Sequence, residues 1–291
     1  MRVLLIVNPK SGANAAKTVV PKLEEFFLGH NVETEIYYTK HSGDATRRAR
    51  YAVSSKKAYD AIVACGGDGT VNEVVNGIAD SHQALGIIPL GTENVLATEF
   101  DIPFAPLKAA KIILAGKTDR IDVGNANGRH FMLMAGVGYD AHVASRLKPM
   151  LKKLLGTTAY HITALKELFN YKNHELEIII DKKAMVKGSY VVAGNTKLYG
   201  AELRLTPHAD MKDGLLDVCI FKGKDAVGFV HFIIRTFAKK HLTMKEVEYF
   251  KAKEVIVKSD KPVLGHVDCE LIGNTPITIT ICPRMLTLII P

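Results

Sequence analysis

The stretch CGGDGTVNEVVNGI, Cys65 to Ile78, decides how the chain is read. It sets three glycines, Gly66, Gly67 and Gly69, around Asp68, between an apolar run and a helical pattern. Val71, Val74, Val75 and Ile78 recur at the spacing of one helix face, so a helix is predicted to begin about Thr70, with Thr70 as its N-cap. The preceding YDAIVAC, Tyr59 to Cys65, reads as a buried strand. Glycines in a strand-to-helix turn permit positive φ and let a ligand approach the backbone closely. The free N–H groups and the dipole of the helix start favour phosphate there. The P-loop pattern and its lysine are absent. Asp68 would repel phosphates unless a magnesium ion or a hydroxyl donor intervened.

Outward from this loop, RVLLIV (Arg2 to Val7), VETEIYYT (Val32 to Thr39) and ALGIIPLG (Ala84 to Gly91) read as further strands. Helical patterns lie near Ala13 to Leu28 and in GDATRRARYAV, Gly43 to Val53. Strands alternating with helices predict a parallel sheet covered on both faces, with ligands at the carboxyl ends of its strands. NPKSG (Asn8 to Gly12), GGDGT (Gly66 to Thr70) and PLGTEN (Pro89 to Asn94) each follow a strand, and together they predict a nucleotide site. Thr39 ends a strand on the same edge, where a base or a phosphate could meet it.

After Ile121 strand-like segments dominate: DVGNAN, HFMLMAGVG, ELEIIID, GSYVVAGN, LLDVCIFK, EVIVKS, TPITITI and MLTLIIP. Two helical patterns interrupt them, near Gly156 to Tyr171 and Lys224 to His241. A second, β-rich domain of antiparallel or sandwich type is expected, with the boundary near Asp119 to Gly124. The pattern does not decide where the last strand goes.

A chain of 291 residues can hold two cores, and 47% hydrophobic with 23% charged residues excludes a disordered protein. A net charge of +8 favours an anionic partner: nucleic acid, a phosphorylated ligand or an acidic membrane. No basic run interleaved with aromatics is present, so nucleic acid is not expected. Cys65, Cys219, Cys269 and Cys282 show no C-x-x-C spacing; buried thiols in a reducing compartment are expected, without zinc or disulfides. The start MRVLLIVNPKSG turns polar too early for a signal peptide, and no run reaches the roughly 18 apolar residues of a membrane span. A cytoplasmic location is the expectation.

GGDGTVNEVVNG, with NPKSG before it and PLGTEN after it, resembles the diacylglycerol-kinase catalytic domain shared by bacterial lipid kinases and sphingosine kinases. RIDVG (Arg120 to Gly124), AGVGYDA (Ala135 to Ala141), DMKDGLLDV (Asp210 to Val218) and VDCE (Val267 to Glu270) extend the resemblance along nearly the whole chain. It implies an α/β plus all-β architecture: an N-terminal Rossmann-like domain over 1–122, of the phosphofructokinase and NAD-kinase kind, and a C-terminal β-sandwich lipid-substrate domain over 123–283. The strand at about 284–291 is expected to return to the first domain, and the active site to lie in the interdomain cleft. The implied activity is transfer of the γ-phosphoryl group of ATP, with Mg²⁺, to a lipid hydroxyl. By the resemblance Asn8, Lys10, Ser11, Gly12, Thr39, Gly66, Gly67, Asp68, Gly69, Thr70, Val71, Asn72, Thr92 and Asn94 would contact nucleotide. Asp122 would join Asp68 in organising magnesium, Glu270 would be the general base, and Asp210, Asp213 and the Leu215 carbonyl match a second, structural magnesium position.

Two departures bear on the acceptor. Cys269 stands where the family usually has the glycine of D-G-E, which strains the turn if a positive φ is needed there. PLGTENVLA brings Glu93 near the expected phosphates and leans towards the sphingosine-kinase spelling. Basic amphipathic segments, Leu147 to Lys172 and Phe229 to Leu242, would serve transient docking on an anionic membrane, or pack on the core with lysines in water. The expected partners are ATP and a lipid at a membrane surface, with a homodimer as a further candidate. An NAD kinase and a catalytically inactive nucleotide- or lipid-binding module are the competing readings.

Overall fold

The computed structural model describes residues 1–291 apart from 56, 80, 148–157, 168–170, 172–173, 200–202 and 224. The chain divides into two compact units, Met1–Asp122 with Arg284–Pro291, and Val123–Pro283.

In the first unit β1 (Arg2–Val7), β2 (Glu33–Tyr38), β3 (Ala61–Gly66) and β4 (Ala84–Pro89) run parallel in the order β2-β1-β3-β4. Val7 stands opposite both Tyr38 and Cys65, and Gly66 opposite Pro89, so the carboxyl ends of all four strands are level. Every residue of β3 is buried, as expected for a strand covered on both faces. The helices are α1 (Ala16–Leu28), α2 (Asp44–Ser54), α3 (Asp68–Ile78), α4 (Val95–Glu99) and α5 (Pro106–Ala115). α1 buries Ala16, Val20, Leu23 and Phe27, a single i, i+4, i+7, i+11 stripe. α3 starts at Asp68 with Gly67 as N-cap, not at Thr70. Both Thr70 and Val71 donate their N–H to the Gly67 carbonyl, and the buried Thr70 hydroxyl instead accepts from Asn8 Nδ2 at 3.3 Å.

One ionic cluster fastens β2. Glu35 accepts from the Tyr59 hydroxyl (2.7 Å), Lys57 Nζ (3.0 Å) and Arg48 Nη2 (2.5 Å), and the Tyr59 hydrogen bond leads in holding its carboxyl down to about 2. Asp44, at the start of α2, is likewise held at about 2, chiefly by the Lys40 N–H and then by Arg47. A folded-state pKa below the unfolded one gives stability that is present above the ordinary carboxylate value and lost as the pH falls through the folded value. The urea midpoint is therefore expected to fall as the pH drops from about 4.5 towards 2. In Glu35→Gln that fall should be shallower, and an unchanged profile would remove Glu35 as a contributor.

The second unit holds two antiparallel layers. β7 (Met134–Val137), β10 (Tyr190–Gly194), β11 (Leu216–Phe221), β12 (Val247–Ala252), β14 (Leu264–Val267) and β15 (Glu270–Asn274) form one sheet in the order β12-β11-β10-β7-β14-β15. β8 (Leu176–Ile180), β9 (Ala184–Gly188) and β13 (Glu254–Lys258) continue into β16 (Ile277–Ile289), with β5 (Thr118–Ala126) and β6 (Arg129–Phe131) beside it. Val137, Val191, Val218 and Val267 of the first layer share one core with Ile178, Val255, Ile277 and Ile279 of the second. This is a β-sandwich. The helices α6 (Tyr139–Arg146), α7 (Thr158–Glu167) and α8 (Ala226–Phe237) complete the unit. α4, α5 and α6 were not anticipated. The expected helix over Gly156 to Tyr171 and the basic segment Leu147 to Lys172 lie partly outside the described residues.

TPITITI and MLTLIIP, expected as two strands, are the single strand β16. Its first half pairs antiparallel with β13 (Val255 opposite Ile279), and its end pairs parallel with β4 (Thr287 opposite Ala84). Arg284 takes φ 52 between the two pairings, and its N–H donates to Asp122 Oδ1 at 2.6 Å. Cys65 and Cys219 are buried, but Cys269 is exposed and Cys282 half-exposed, which corrects the expectation of four buried thiols. Cys269 lies in the turn between β14 and β15, and Cys282 within β16. No described helix is long and apolar enough to cross a membrane.

Candidate active site

Four chain segments meet at the carboxyl edge of the parallel sheet. Asn8 N–H donates to the Cys65 carbonyl (3.0 Å), Leu90 N–H to the Gly66 carbonyl (2.9 Å) and Thr39 N–H to the Val7 carbonyl (2.8 Å). These bonds bring the 8–12, 66–70 and 90–94 loops and Thr39 together. Asn8 Oδ1 accepts from Lys10 N–H (3.0 Å), and Ser11 and Gly12 sit in the 3₁₀ turn Ser11–Asn14 that follows. Asn94, at φ 49, closes its own loop: its Oδ1 accepts from Gly91 N–H (3.0 Å) and its Nδ2 donates to the Gly91 carbonyl (2.9 Å). Thr92 is exposed at the tip of that loop.

The glycines divide by role. A Cβ on Gly91 would stand 2.5 Å from the Gly67 Cα, and one on Gly12 (φ 57) 2.4 Å from the Leu90 carbonyl oxygen. Those glycines let backbone approach backbone. A Cβ on Gly69 would meet nothing within 4 Å, so the first turn of α3 is open to solvent on the Gly69 side. An α-helix leaves its first four N–H groups without intrahelical partners, and such a turn suits an anion. Val71 and Asn72 are turned inward; Asn72 Oδ1 accepts from Asn76 Nδ2 at 3.1 Å.

Asp68 Oδ1 accepts from Leu96 N–H at 3.3 Å, tying the first turn of α3 to that of α4. Glu93 Oε2, in the adjoining loop, is buried with no hydrogen-bond partner. The orphaned Glu93 oxygen, in the loop beside the phosphate-type turn, is the kind of hard oxygen donor that a magnesium ion takes. Asp122 is fully buried on β5, where it holds the Arg284 N–H.

In the second unit, Asp210 Oδ1 accepts from Lys212 N–H and Asp213 Oδ1 from Leu215 N–H, both at 3.0 Å. Lys251 Nζ stands 2.5 Å from Asp213 Oδ2 and 3.3 Å from the buried Asp217 Oδ2. An ammonium therefore already engages the Asp213 carboxylate. Among the described residues no group of three or more His, Cys, Asp and Glu side chains is arranged to hold a metal.

Glu270 is placed by a tight turn. Val267 and Glu270 face each other across β14 and β15, and the two residues between them, Asp268 and Cys269, have φ 46 and 65. A two-residue hairpin loop with both central residues left-handed is the type I′ form, which favours Asn-Gly or Asp-Gly. The Asp268 carboxylate accepts from the N–H groups of Met132 (2.8 Å), Leu133 (3.0 Å) and Met134 (3.0 Å). Glu270 Oε2 receives Arg129 Nη2, from the start of β6. Cys269 thus occupies a position that needs positive φ. Cys269→Gly is expected to stabilise the protein by about 1 kcal/mol, the left-handed cost less the added unfolded-state entropy. A thermal midpoint that stays put or falls would show the turn relaxed around cysteine.

Sequence reasoning missed three partners. Glu73, inside the opening motif, accepts from Gly43 N–H (2.9 Å) and Ala45 N–H (3.1 Å), capping α2 and fixing the loop that follows Thr39. Arg129 reaches the Glu270 turn from 141 residues away, and His266 reaches it from the preceding strand with its own partner Asp140 126 residues away, so no local pattern announces either.

Two family models match the chain: the diacylglycerol kinase catalytic domain over residues 2–126, and the YegS C-terminal NAD kinase beta sandwich-like domain over 134–290. A diacylglycerol kinase of Bacillus subtilis (strain 168) is 32% identical over 281 residues, which cover 94% of this chain and 91% of that protein. The chain belongs to the diacylglycerol kinase family. It is a lipid kinase by that membership. A diacylglycerol kinase of Staphylococcus saprophyticus is 31% identical over 278 residues, 94% of this chain and 90% of the other. The crystal structure of a diacylglycerol kinase from Bacillus anthracis str. Sterne matches with TM-score 0.75 at 26% identity, covering 100% of this chain and 97% of that one. Membership in the diacylglycerol kinase family accounts for the order of the motifs, from NPKSG through GGDGT to the Glu270 turn.

Proposed function

We propose that this protein transfers the γ-phosphoryl group of ATP to the free hydroxyl of diacylglycerol, giving phosphatidic acid. The observation that carries the reading is Glu270, aimed by a two-residue turn that Asp268 pins to three consecutive backbone N–H groups. A fixed carboxylate suits a general base, and phosphoryl transfer asks a protein mainly for positioning and charge neutralisation. In this reading the 8–12, 66–72 and 92–94 segments and Thr39 hold the nucleotide, and the open first turn of α3 receives its phosphates. Asp68 and Asp122 would hold magnesium, which when bound neutralises charge on the phosphates. Glu270 takes the proton of the attacking hydroxyl, so Arg129 must yield or share the carboxylate when the acceptor arrives. A structural magnesium at Asp210, Asp213 and the Leu215 carbonyl would have to compete with Lys251 for Asp213.

The test is incorporation of labelled phosphate from ATP into diacylglycerol, a sphingoid base and NAD, assayed side by side. Labelled phosphatidic acid is expected. Labelled NADP alone would establish the NAD kinase, and binding of ATP without any product the inactive module.

The lipid must be met at a surface. α8 buries Phe229 and Phe232 against Phe221 and Tyr190, while Val227, Ile234 and Phe237 are 80%, 58% and 58% exposed. Arg235, Lys239 and Lys240 lie at its carboxyl end. Apolar side chains beside cations suit an anionic interface, and we read this face as the transient docking site. Ile234→Asp combined with Phe237→Asp should lower co-flotation with phosphatidylglycerol vesicles about tenfold, leaving neutral-vesicle binding low throughout. Equal flotation of the variant would place docking elsewhere.

A further inference from the structure

Beneath the Glu270 turn lies a buried polar cluster that phosphoryl transfer has not yet employed. His266, on β14, and Asp140, at the start of α6, are both buried, with His266 Nε2 2.7 Å from Asp140 Oδ2. The hydroxyls of Tyr190 (2.9 Å) and Tyr199 (3.3 Å) also donate to Asp140 Oδ2, and Asp140 Oδ1 accepts from Ala141 N–H (2.9 Å). On its other side His266 Nδ1 accepts from Cys269 N–H at 3.2 Å. These two bonds fix the tautomer: the proton is on Nε2, donated to Asp140, and Nδ1 is the acceptor. Gly136 makes room for the pair, because a Cβ there would stand 2.5 Å from both Asp140 Oδ2 and His266 Nε2.

Cys269 and Asp268 are the two left-handed residues of the turn, and Glu270 follows at once. Asp268 is pinned through its side chain; Cys269 is tied through its N–H to His266. We propose that His266 is a positioning residue for the base: its neutral imidazole, oriented by Asp140, holds the Cys269 N–H and so fixes the turn that aims Glu270. The role rests on Glu270 being the base.

A protonated imidazole carries hydrogen on both nitrogens and cannot accept from Cys269. Protonating His266 therefore releases the turn on one side. The charged and titratable groups facing it are Asp140 from α6, Tyr190 from β10, Tyr199 from the following loop and Asp268 from the turn itself. Burial resists the positive charge, but Asp140 and then Asp268 outweigh it and raise the imidazole above its ordinary value. The turn should loosen as the pH falls through a range above about 6.5.

The experiment compares the full-length enzyme with His266→Leu, His266→Asn and Glu270→Gln, measuring kcat, KM for ATP and diacylglycerol, and the pH profile of kcat. His266→Leu cannot accept the Cys269 N–H and should lower kcat about 10- to 100-fold with KM for ATP within about twofold. His266→Asn offers an amide oxygen in the same place and does not titrate. It should recover most of kcat and lose the wild-type decline that sets in above about pH 6.5. Wild-type kcat in His266→Leu, or a wild-type acid limb in His266→Asn, overturns the proposal while leaving the base assignment intact. If His266→Leu fails to fold, the His266→Asn profile decides alone. Activity retained in Glu270→Gln removes the base, and with it the role given to His266.

Discussion

Glu270→Gln should lower kcat by about 10²- to 10⁴-fold while ATP binding, followed by calorimetry or a fluorescent nucleotide, changes less than about twofold. The amide keeps the shape of the side chain and removes its capacity to take a proton. The turn itself should survive, because its anchors are the Asp268 carboxylate on Met132, Leu133 and Met134 and the His266 acceptor on Cys269, not the Glu270 side chain. Among the described residues the contact altered is with Arg129, a pair about a third exposed on each side, whose loss should cost little stability. A fall in kcat with intact thermal stability separates chemistry from folding. Undiminished turnover would leave the hydroxyl proton to solvent or to another group.

Much of the first unit was legible because its signals are local. β1, β3 and β4 are runs of apolar residues bounded by glycine or proline, and α3 repeats valine and isoleucine on one face. α5 could have been found by the same means: Pro106 stands at its first position and Gly116, at φ 67, closes it. β16 was read as two strands because Pro283 and Arg284 look like a break, whereas the chain bends there and continues with a new neighbour. The Glu270 turn was legible only through the family resemblance, not from its own residues. Type I′ turns announce themselves by Asn-Gly or Asp-Gly, and Asp-Cys gives half of that signal. Its supports come from far along the chain, with Arg129 removed by 141 residues from Glu270 and Asp140 by 126 from His266. Periodicity carries no information about such pairs. Glu73 shows the same limit from within the opening motif: its partners at Gly43 and Ala45 lie on another helix.

The sharpest test of the opening loop uses two glycines whose surroundings differ. Gly91→Ala puts a methyl group 2.5 Å from the Gly67 Cα and 2.8 Å from Asn94 Oδ1, with backbone on one side and a doubly bonded amide on the other. Neither can move without parting the ends of β3 and β4. The variant should lose about 1–3 kcal/mol of stability, as overpacking does, and nucleotide affinity should fall with it. Gly69→Ala meets nothing within 4 Å and has no positive φ to strain, so the helix should gain about 0.4–1 kcal/mol. Yet the same methyl group stands in the space over the first turn of α3 where phosphates would come closest. For Gly69→Ala the thermal midpoint and the ATP affinity are therefore expected to move in opposite directions, affinity falling about tenfold or more. A packing glycine cannot produce that divergence, since its substitution lowers both together. If Gly69→Ala binds ATP as the wild type does, the phosphates are held elsewhere along the sheet edge, and the open turn is only a turn.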